Sequence, residues 1–521
     1  MRFLTVFLLI FIMFSNLFSS TQSYVQPSYV TWIFVVLYIL ISIGIGVFST
    51  RFAKTPEQYF GSTKTFGPVT VSLASMAAIM SAFGFIGGPG LVYSLGFSSI
   101  WITCAAGVGI SYGFWIIGKK MRAIAEIADV ATLPDIARVR FQSKAVQGFL
   151  AIGLLFASIA FLSAQIHGGA ILMQQMLGVS QGVGVFILCA TVLIYMLFGG
   201  MSGHILTNAF QGLIMLVAVF VCIIGFFQIT GDVNSLEYIM LNYQEGGALL
   251  GNKMVDGFGL QSLNQVIVWI FIFFVGVVTQ PQLLTKMYTL KDPKSLKATG
   301  IVSGLAYGVA SLMWILVGVG ALYLVTKGTA APLANKDYAA FLFLAHLSPW
   351  MQTFVLAGLL AAIMSTSDLF ISIAASAFTR DFLGSIGHEI AHDRQVHYGR
   401  IVSVGVILIT ILIVKLSGKA GTAILGSFGF GFFMTVNFPV FVLGMLWKRV
   451  SKEAVVSGLI VGISLNLGFA ILKFFGIYKL PYYDYMFALA AASITTIFVS
   501  FFRRKTKNFS LPEPIKAVLD L

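Results

Sequence analysis

Two short stretches carry most of the oxygen-rich chemistry that this sequence hides inside apolar runs. In Ala361-Ala362-Ile363-Met364-Ser365-Thr366-Ser367-Asp368, three hydroxyls and a carboxylate follow one another. Ala77-Ala78-Ile79-Met80-Ser81 runs into Gly84, Gly87, Gly88, Pro89 and Gly90. Side-chain hydroxyls and bare peptide oxygens suit a hard cation such as sodium. Buried hydroxyls also commonly bond the carbonyl four residues back in their own helix, and that reading stays open for Ser365 and Thr366. Away from the ends of the apolar runs, the clear ionisable groups are Asp368 and His167. His204, Arg400, Lys415, Glu453, Lys473 and Asp484 fall near run ends, where they can snorkel or meet headgroups. Clustered His, Asp, Glu or Cys ligands for hydrolysis or redox chemistry are missing from the pattern, and so is a phosphate-binding loop. The chain therefore reads as a non-enzyme that draws on an ion gradient.

The elements that position these residues follow from composition. The 521 residues are 58% hydrophobic and 10% charged, against about 25% charged in a soluble domain. Apolar runs of ~20 residues span a bilayer as helices. Lipid offers no hydrogen-bond partners, so each span must be a helix or part of a closed barrel. The runs lack the period-2 alternation of barrel strands, which leaves helices. The net charge of +14 fits basic residues on cytoplasmic loops rather than a nucleic-acid partner. Cys104, Cys189 and Cys222 all lie inside apolar runs, with no metal-ligand spacing and no disulfide framework.

Met1–Ser20, with one basic residue and an apolar stretch from Phe3 to Phe14, reads as a signal peptide; an extra uncleaved helix is the rival. Thirteen spans follow, at roughly 30–50, 66–97, 99–118, 146–177, 182–199, 204–229, 263–284, 298–326, 350–379, 400–416, 420–447, 453–476 and 482–502. Cleavage leaves the N-terminus outside, and thirteen crossings put the C-terminus in the cytoplasm. Most of the 32 Lys and Arg residues then fall on inner loops, as orientation requires. Span 66–97 would be about 48 Å long as one helix at ~1.5 Å per residue, against a ~30 Å core. Its glycines and Pro89 point to a helix unwound mid-membrane. Gly276 and Thr279-Gln280-Pro281 interrupt span 263–284 in the same way. Interrupted helices at matching places in two inverted halves mark a substrate and ion site between them.

These stretches resemble the sodium:solute symporter family, from about Trp32 to Arg504. The resemblance rests on Glu57-Gln58-Tyr59-Phe60-Gly61, Ser81 to Gly90, Thr132-Leu133-Pro134-Asp135 with Arg140-Phe141, and Gly199-Gly200-Met201 with Leu206-Thr207-Asn208 and Gln211-Gly212. Gln280-Pro281 with Lys286, Ala361 to Thr366, and Leu446-Trp447-Lys448-Arg449 complete it. It implies an all-α membrane protein with a LeuT-type 5+5 inverted repeat and flanking helices. The symporter domain is 30–504, with repeats 66–229 and 263–447, and 505–521 is a cytoplasmic tail. It implies sodium-coupled symport of a small organic solute across the inner (plasma) membrane. Sodium ligands carried over by position are the carbonyls of Ala77, Met80 and Ala362 and the hydroxyls of Ser365 and Thr366. The solute is expected beside Ser81, Ala82, Phe83 and Gly84, facing Phe161 and Gln165. Gly84, Ile272, Val275 and Gly308 offer no partners for a sugar's hydroxyls. The likeness is greatest to the pantothenate, monocarboxylate and proline branches. Many relatives have Thr-Asp where this chain has Thr207-Asn208, and a carboxylate stands instead at Asp368. Asn208 and Asp368 are expected to lie together as a second ion or coupling site. A proton-coupled symporter and a non-transporting membrane sensor are the alternatives.

Overall fold

The computed structural model describes residues 24–52, 65–231, 234–245, 247–416, 422–477, 483–502 and 512–521. The expected signal peptide lies outside them, as do Glu57 to Gly61 and part of the expected tail. Among the described residues, each of the thirteen expected stretches is mostly helical, with breaks near Met80 and Gln280. Ten described helices are long and apolar enough to cross a bilayer, or eleven if one bent pair counts as a single span.

The opening helix α1 (Tyr29–Ser49) is capped by Ser28, whose hydroxyl accepts the Thr31 N–H. Span 66–97 is broken, but at Met80 and Ser81, ahead of its glycines and Pro89, which lie in the turn and half-helix that follow. Helix α2 (Pro68–Ile79) stops where Met80 turns extended, at φ −66° and ψ 125°. The chain resumes through a π-helical turn, Phe83–Gly87, into α3 (Gly88–Leu95). Then come α4 (Ile100–Gly113), α5 (Lys119–Ile127), α6 (Leu133–Phe141) and α7 (Lys144–Leu177). Residues Gln181–Thr230 form α8, which kinks at Gly200, where φ is +52°. A residue with a Cβ adopts that backbone only under strain.

The second interruption is also present. Helix α9 (Leu263–Val278) starts on a capping box of Ser262 and Gln265, and bends by 41° into α10 (Pro281–Met287). Next are α11 (Leu296–Thr326), α12 (Pro349–Ser376), α13 (His392–Leu416), α14 (Thr422–Asn437), α15 (Lys452–Phe474) and α16 (Tyr483–Phe502).

The apolar pattern runs opposite to that of a soluble bundle. On α8, Leu213, Val217, Phe220, Ile224 and Phe227 form an exposed stripe, while Met215, Ala218, Val219 and Cys222 face inward. A stripe at this spacing that stays apolar where it is exposed has lipid as its solvent. The bundle holds together through small residues instead. Gly304 on α11 meets α4 so closely that a Cβ there would lie 2.5 Å from the Gly107 carbonyl oxygen. Ser111 Oγ donates to the Gly300 carbonyl 3.1 Å away in the same seam. Close backbone approach of this kind drives association where water does not. Helix α12 belongs to the most enclosed of the long candidate spans, with every residue from Val355 to Ile371 buried.

Replacing Gly304 by Leu should cost about 1–3 kcal/mol through overpacking. Gly308→Ala, with nothing within 4 Å of its added Cβ, should be neutral or slightly stabilising. Thermal unfolding of the two purified variants checks both.

Candidate functional site

When α2 ends at Ile79, the carbonyls of its last turn lose their intrahelical partners. Inside a membrane each must find another. They find α12. Ser365 Oγ donates to the Ala77 carbonyl at 2.8 Å and to its own helix at Ala362, 3.0 Å. Thr366 Oγ1 lies 3.2 Å from the Ala78 carbonyl, 3.0 Å from Met80 and 3.1 Å from Ala362. The five positions expected to hold sodium therefore converge on one point between two helices. The Ala78 carbonyl joins them, which the sequence did not reveal. The return bonds to Ala362 exist, but they accompany the bonds to α2. Ala77, Met80, Ala362, Ser365 and Thr366 have no solvent exposure.

This arrangement fits a hard monovalent cation. The donor set is all oxygen and carries no formal charge, and a single hydroxyl rotation turns each O–H away and presents a lone pair. Divalent ions would find no carboxylate among the five.

Beside this cradle, the N–H of Ala82 donates to Gln165 Oε1 at 2.9 Å. That bond fixes the amide orientation and leaves Gln165 Nε2 buried without a partner among the described residues. Phe83 stacks on Phe273, with centroids 5.9 Å apart, and Phe273 packs on Phe430 at 5.2 Å. Phe161 packs on Phe370 at 4.8 Å. Gly84 faces the Trp314 indole, 3.1 Å from where a Cβ would stand. Trp314 is buried and its Nε1 lacks a partner among the described residues. It went unrecognised because a lone Trp in an apolar run looks like any core residue. The glycine run that faces it was the only available signal.

His167 lies two residues from Gln165 but belongs to another network. The Thr422 N–H and hydroxyl both donate to Asp337 Oδ2, at 2.8 and 2.9 Å. The hydroxyl oxygen is then the acceptor for His167 Nδ1, at 2.9 Å.

The second break is tied to α14. Gln280 Nε2 donates to the carbonyls of Gly276 at 3.1 Å and Phe430 at 3.2 Å. Asn437 Nδ2 donates to the Thr279 carbonyl at 2.8 Å.

Asn208 and Asp368 do lie together, joined by a residue expected to snorkel. His204 Nδ1 is 2.7 Å from Asp368 Oδ1, and His204 Nε2 is 3.3 Å from Asn208 Nδ2. His204 is buried, not at a headgroup. Lys286, assigned from sequence to an inner loop, is buried as well, with Nζ 2.7 Å from His204 Nε2. Tyr195 OH donates to Asp368 Oδ2 at 3.0 Å. Span ends are placed only to within a turn from sequence. A basic residue there looks peripheral when the helix in fact carries it inward.

The profile of the Sodium:solute symporter family matches residues 59–462. A sodium/proline symporter of Staphylococcus aureus is 27% identical over 463 residues, covering 84% of this chain and 85% of its own. The substrate-bound, outward-open structure of a Na+-coupled sialic acid symporter superposes with a TM-score of 0.73 at 15% identity, over 92% of this chain and 100% of that one. A nucleobase-cation-symport-1 family transporter in a closed conformation with bound bromovinylhydantoin superposes with a TM-score of 0.52 at 14% identity, over 89% and 98%. The fold is thus the all-α, LeuT-type transporter fold, and the chain belongs to the sodium:solute symporter family of multi-pass, sodium-coupled membrane transporters.

Proposed function

We propose that this symporter carries a small carboxylate or amino acid, proline being the first candidate, with sodium held by the carbonyls of Ala77, Met80 and Ala362 and the hydroxyls of Ser365 and Thr366. The observation that carries this reading is the meeting of the two α12 hydroxyls with carbonyls freed by the break after α2. Sodium entering there replaces hydroxyl protons as the partner of those carbonyls. It thereby fixes α12 against the broken helix.

The same break holds the solute. The segment Ser81, Ala82, Phe83 and Gly84 opens the second half-helix, whose first N–H groups have no intrahelical acceptor. Apart from the Ala82 N–H, which Gln165 holds, those donors and the positive end of the helix dipole favour a carboxylate without a full positive charge. Gln165 Nε2 adds a buried donor, and Phe161, Phe83 and Phe273 offer apolar walls. A sugar would leave several hydroxyls unpaired against these walls, which is costly. The resemblance to a sodium/proline symporter points the same way. Sodium and solute meet at one break, so each orders the backbone the other needs, and the affinity of one rises with the other.

The halves 66–229 and 263–447 act as inverted repeats, since each contains a broken helix, α2–α3 in one and α9–α10 in the other. Rocking of one against the other gives alternating access. The weight of Lys and Arg on alternate loops supports a C-terminus in the cytoplasm, and membership of the family supports residence in the inner (plasma) membrane. Asn208 on α8 and Asp368, on the α12 face that also carries Ser365, form a coupling site.

Ser365→Ala and Thr366→Ala should each raise the sodium needed for half-maximal binding about tenfold, the value of one lost charged contact. Thr366→Ser, which keeps the hydroxyl, should stay near the parent. Sodium-dependent thermal shift measures this, and a parental response in both alanine variants rejects the site. In the same assay, proline or a small monocarboxylate should stabilise the protein only with sodium, and polyols should not. Stabilisation by a sugar, with no effect of carboxylates or amino acids, overturns the proposed solute class.

A further inference from the structure

Lys286 and Asp368 lie within the bundle with no solvent exposure. Among the described residues the Lys286 ammonium meets one side chain, His204, through Nε2 at 2.7 Å. The Asn208 amide N–H approaches the same Nε2 at 3.3 Å. Lys and the Asn amide nitrogen can only donate, so Nε2 is the acceptor and the ring proton sits on Nδ1. Nδ1–H then donates to Asp368 Oδ1 at 2.7 Å, and Tyr195 OH donates to Oδ2 at 3.0 Å. A carboxylate and an ammonium from different helices are thereby joined through one imidazole.

A buried carboxylate needs one positive charge nearby, because an uncompensated ion in this setting is strongly destabilising. A mobile cation can supply it, or a side chain can. The cluster also touches the sodium cradle. Asn208 Nδ2 donates to the Ser365 carbonyl at 3.1 Å, and Asp368 stands three residues beyond Ser365 on one helix face. A bare carboxylate at that place attracts a second sodium.

We propose that Lys286 is a tethered cation: its ammonium, relayed through His204, takes the place beside Asp368 that a second coupling ion would otherwise fill, and so holds this chain to one sodium per cycle. The proposal rests on the sodium cradle described under the proposed function. Lys286 is a positioning residue here, since it acts on ion binding through His204 and Asp368. It lies on α10, just beyond the second break, so the tethered charge links that half-helix to α12.

The test counts bound radioactive sodium per chain at saturation, with no solute, on the full-length protein in nanodiscs. The parent should bind one. Lys286→Met should bind two, because Asp368 is left to recruit a cation. Lys286→Met with Asp368→Asn should return to one, and Lys286→Arg should remain at one. A count of one in folded Lys286→Met overturns the proposal, since a purely structural ion pair leaves the count unchanged. Should Lys286→Met fail to fold, Asp368→Asn decides. Its unbalanced ammonium should raise half-saturating sodium about tenfold, and adding Lys286→Met should restore it. Unchanged half-saturation in Asp368→Asn overturns the proposal. The Ser365→Ala/Thr366→Ala double variant separates the two readings. Binding of one sodium at parental affinity there means that the cradle lies elsewhere, whatever the Lys286 variants do.

Discussion

A peptide carbonyl that loses its helix partner inside a membrane must be given another. That requirement governs this protein. Breaking α2 after Ile79 exposes the carbonyls of Ala77, Ala78 and Met80, and the neighbouring helix answers with two adjacent hydroxyls. The break is therefore stable only while α12 is in register beside it. A helix that ran intact from Pro68 to Leu95 would need nothing from Ser365 or Thr366, and it would offer no oxygen to an ion. The cost of interrupting the helix and the supply of free peptide oxygens beside α12 are one physical fact.

Helix α12 follows from that constraint. It meets the first break through Ser365 and Thr366. A helix turn further on it meets α10, beyond the second break, through Asp368, His204 and Lys286. Residues from two broken helices thus converge on one buried post. Asn208 ties the contacts together, since its amide reaches both the Ser365 carbonyl and His204. A change at the proposed sodium cradle is then felt at α10 without a long chain of intermediates. The post itself is held by packing: Tyr195 reaches it from α8, and Gly358 meets α8 so closely that an added Cβ would press on Ala218.

The sequence was legible where its rule-breaking was local. Two hydroxyls beside a carboxylate in an apolar run, and a proline among glycines in an overlong span, are anomalies visible within ten residues. Both interruptions and the cradle could be read from them. His204 and Lys286 were not legible, for a different reason. They are 82 residues apart, and each sits near a run end, where a basic group ordinarily reaches for water. Only tertiary packing shows that both point inward. Trp314 escaped for a third reason. Its exceptional property is a bare indole N–H against glycines, and neither fact exists before the helices are packed.

The relocated carboxylate ties these points together. The resemblance to the family implies Thr-Asp at the place where this chain has Thr207-Asn208, a neutral amide, and a carboxylate stands on α12 at Asp368. An amide both donates and accepts, so Asn208 can bridge the Ser365 carbonyl and an imidazole, which a carboxylate cannot do because it only accepts. With the charge moved to Asp368, its compensation must move as well, and Lys286 on α10 is placed to supply it through His204. The three substitution-level features are thus mutually dependent. Asn208 requires an acceptor at His204 Nε2, His204 requires a carboxylate at Nδ1, and Asp368 requires the positive charge that the lysine carries.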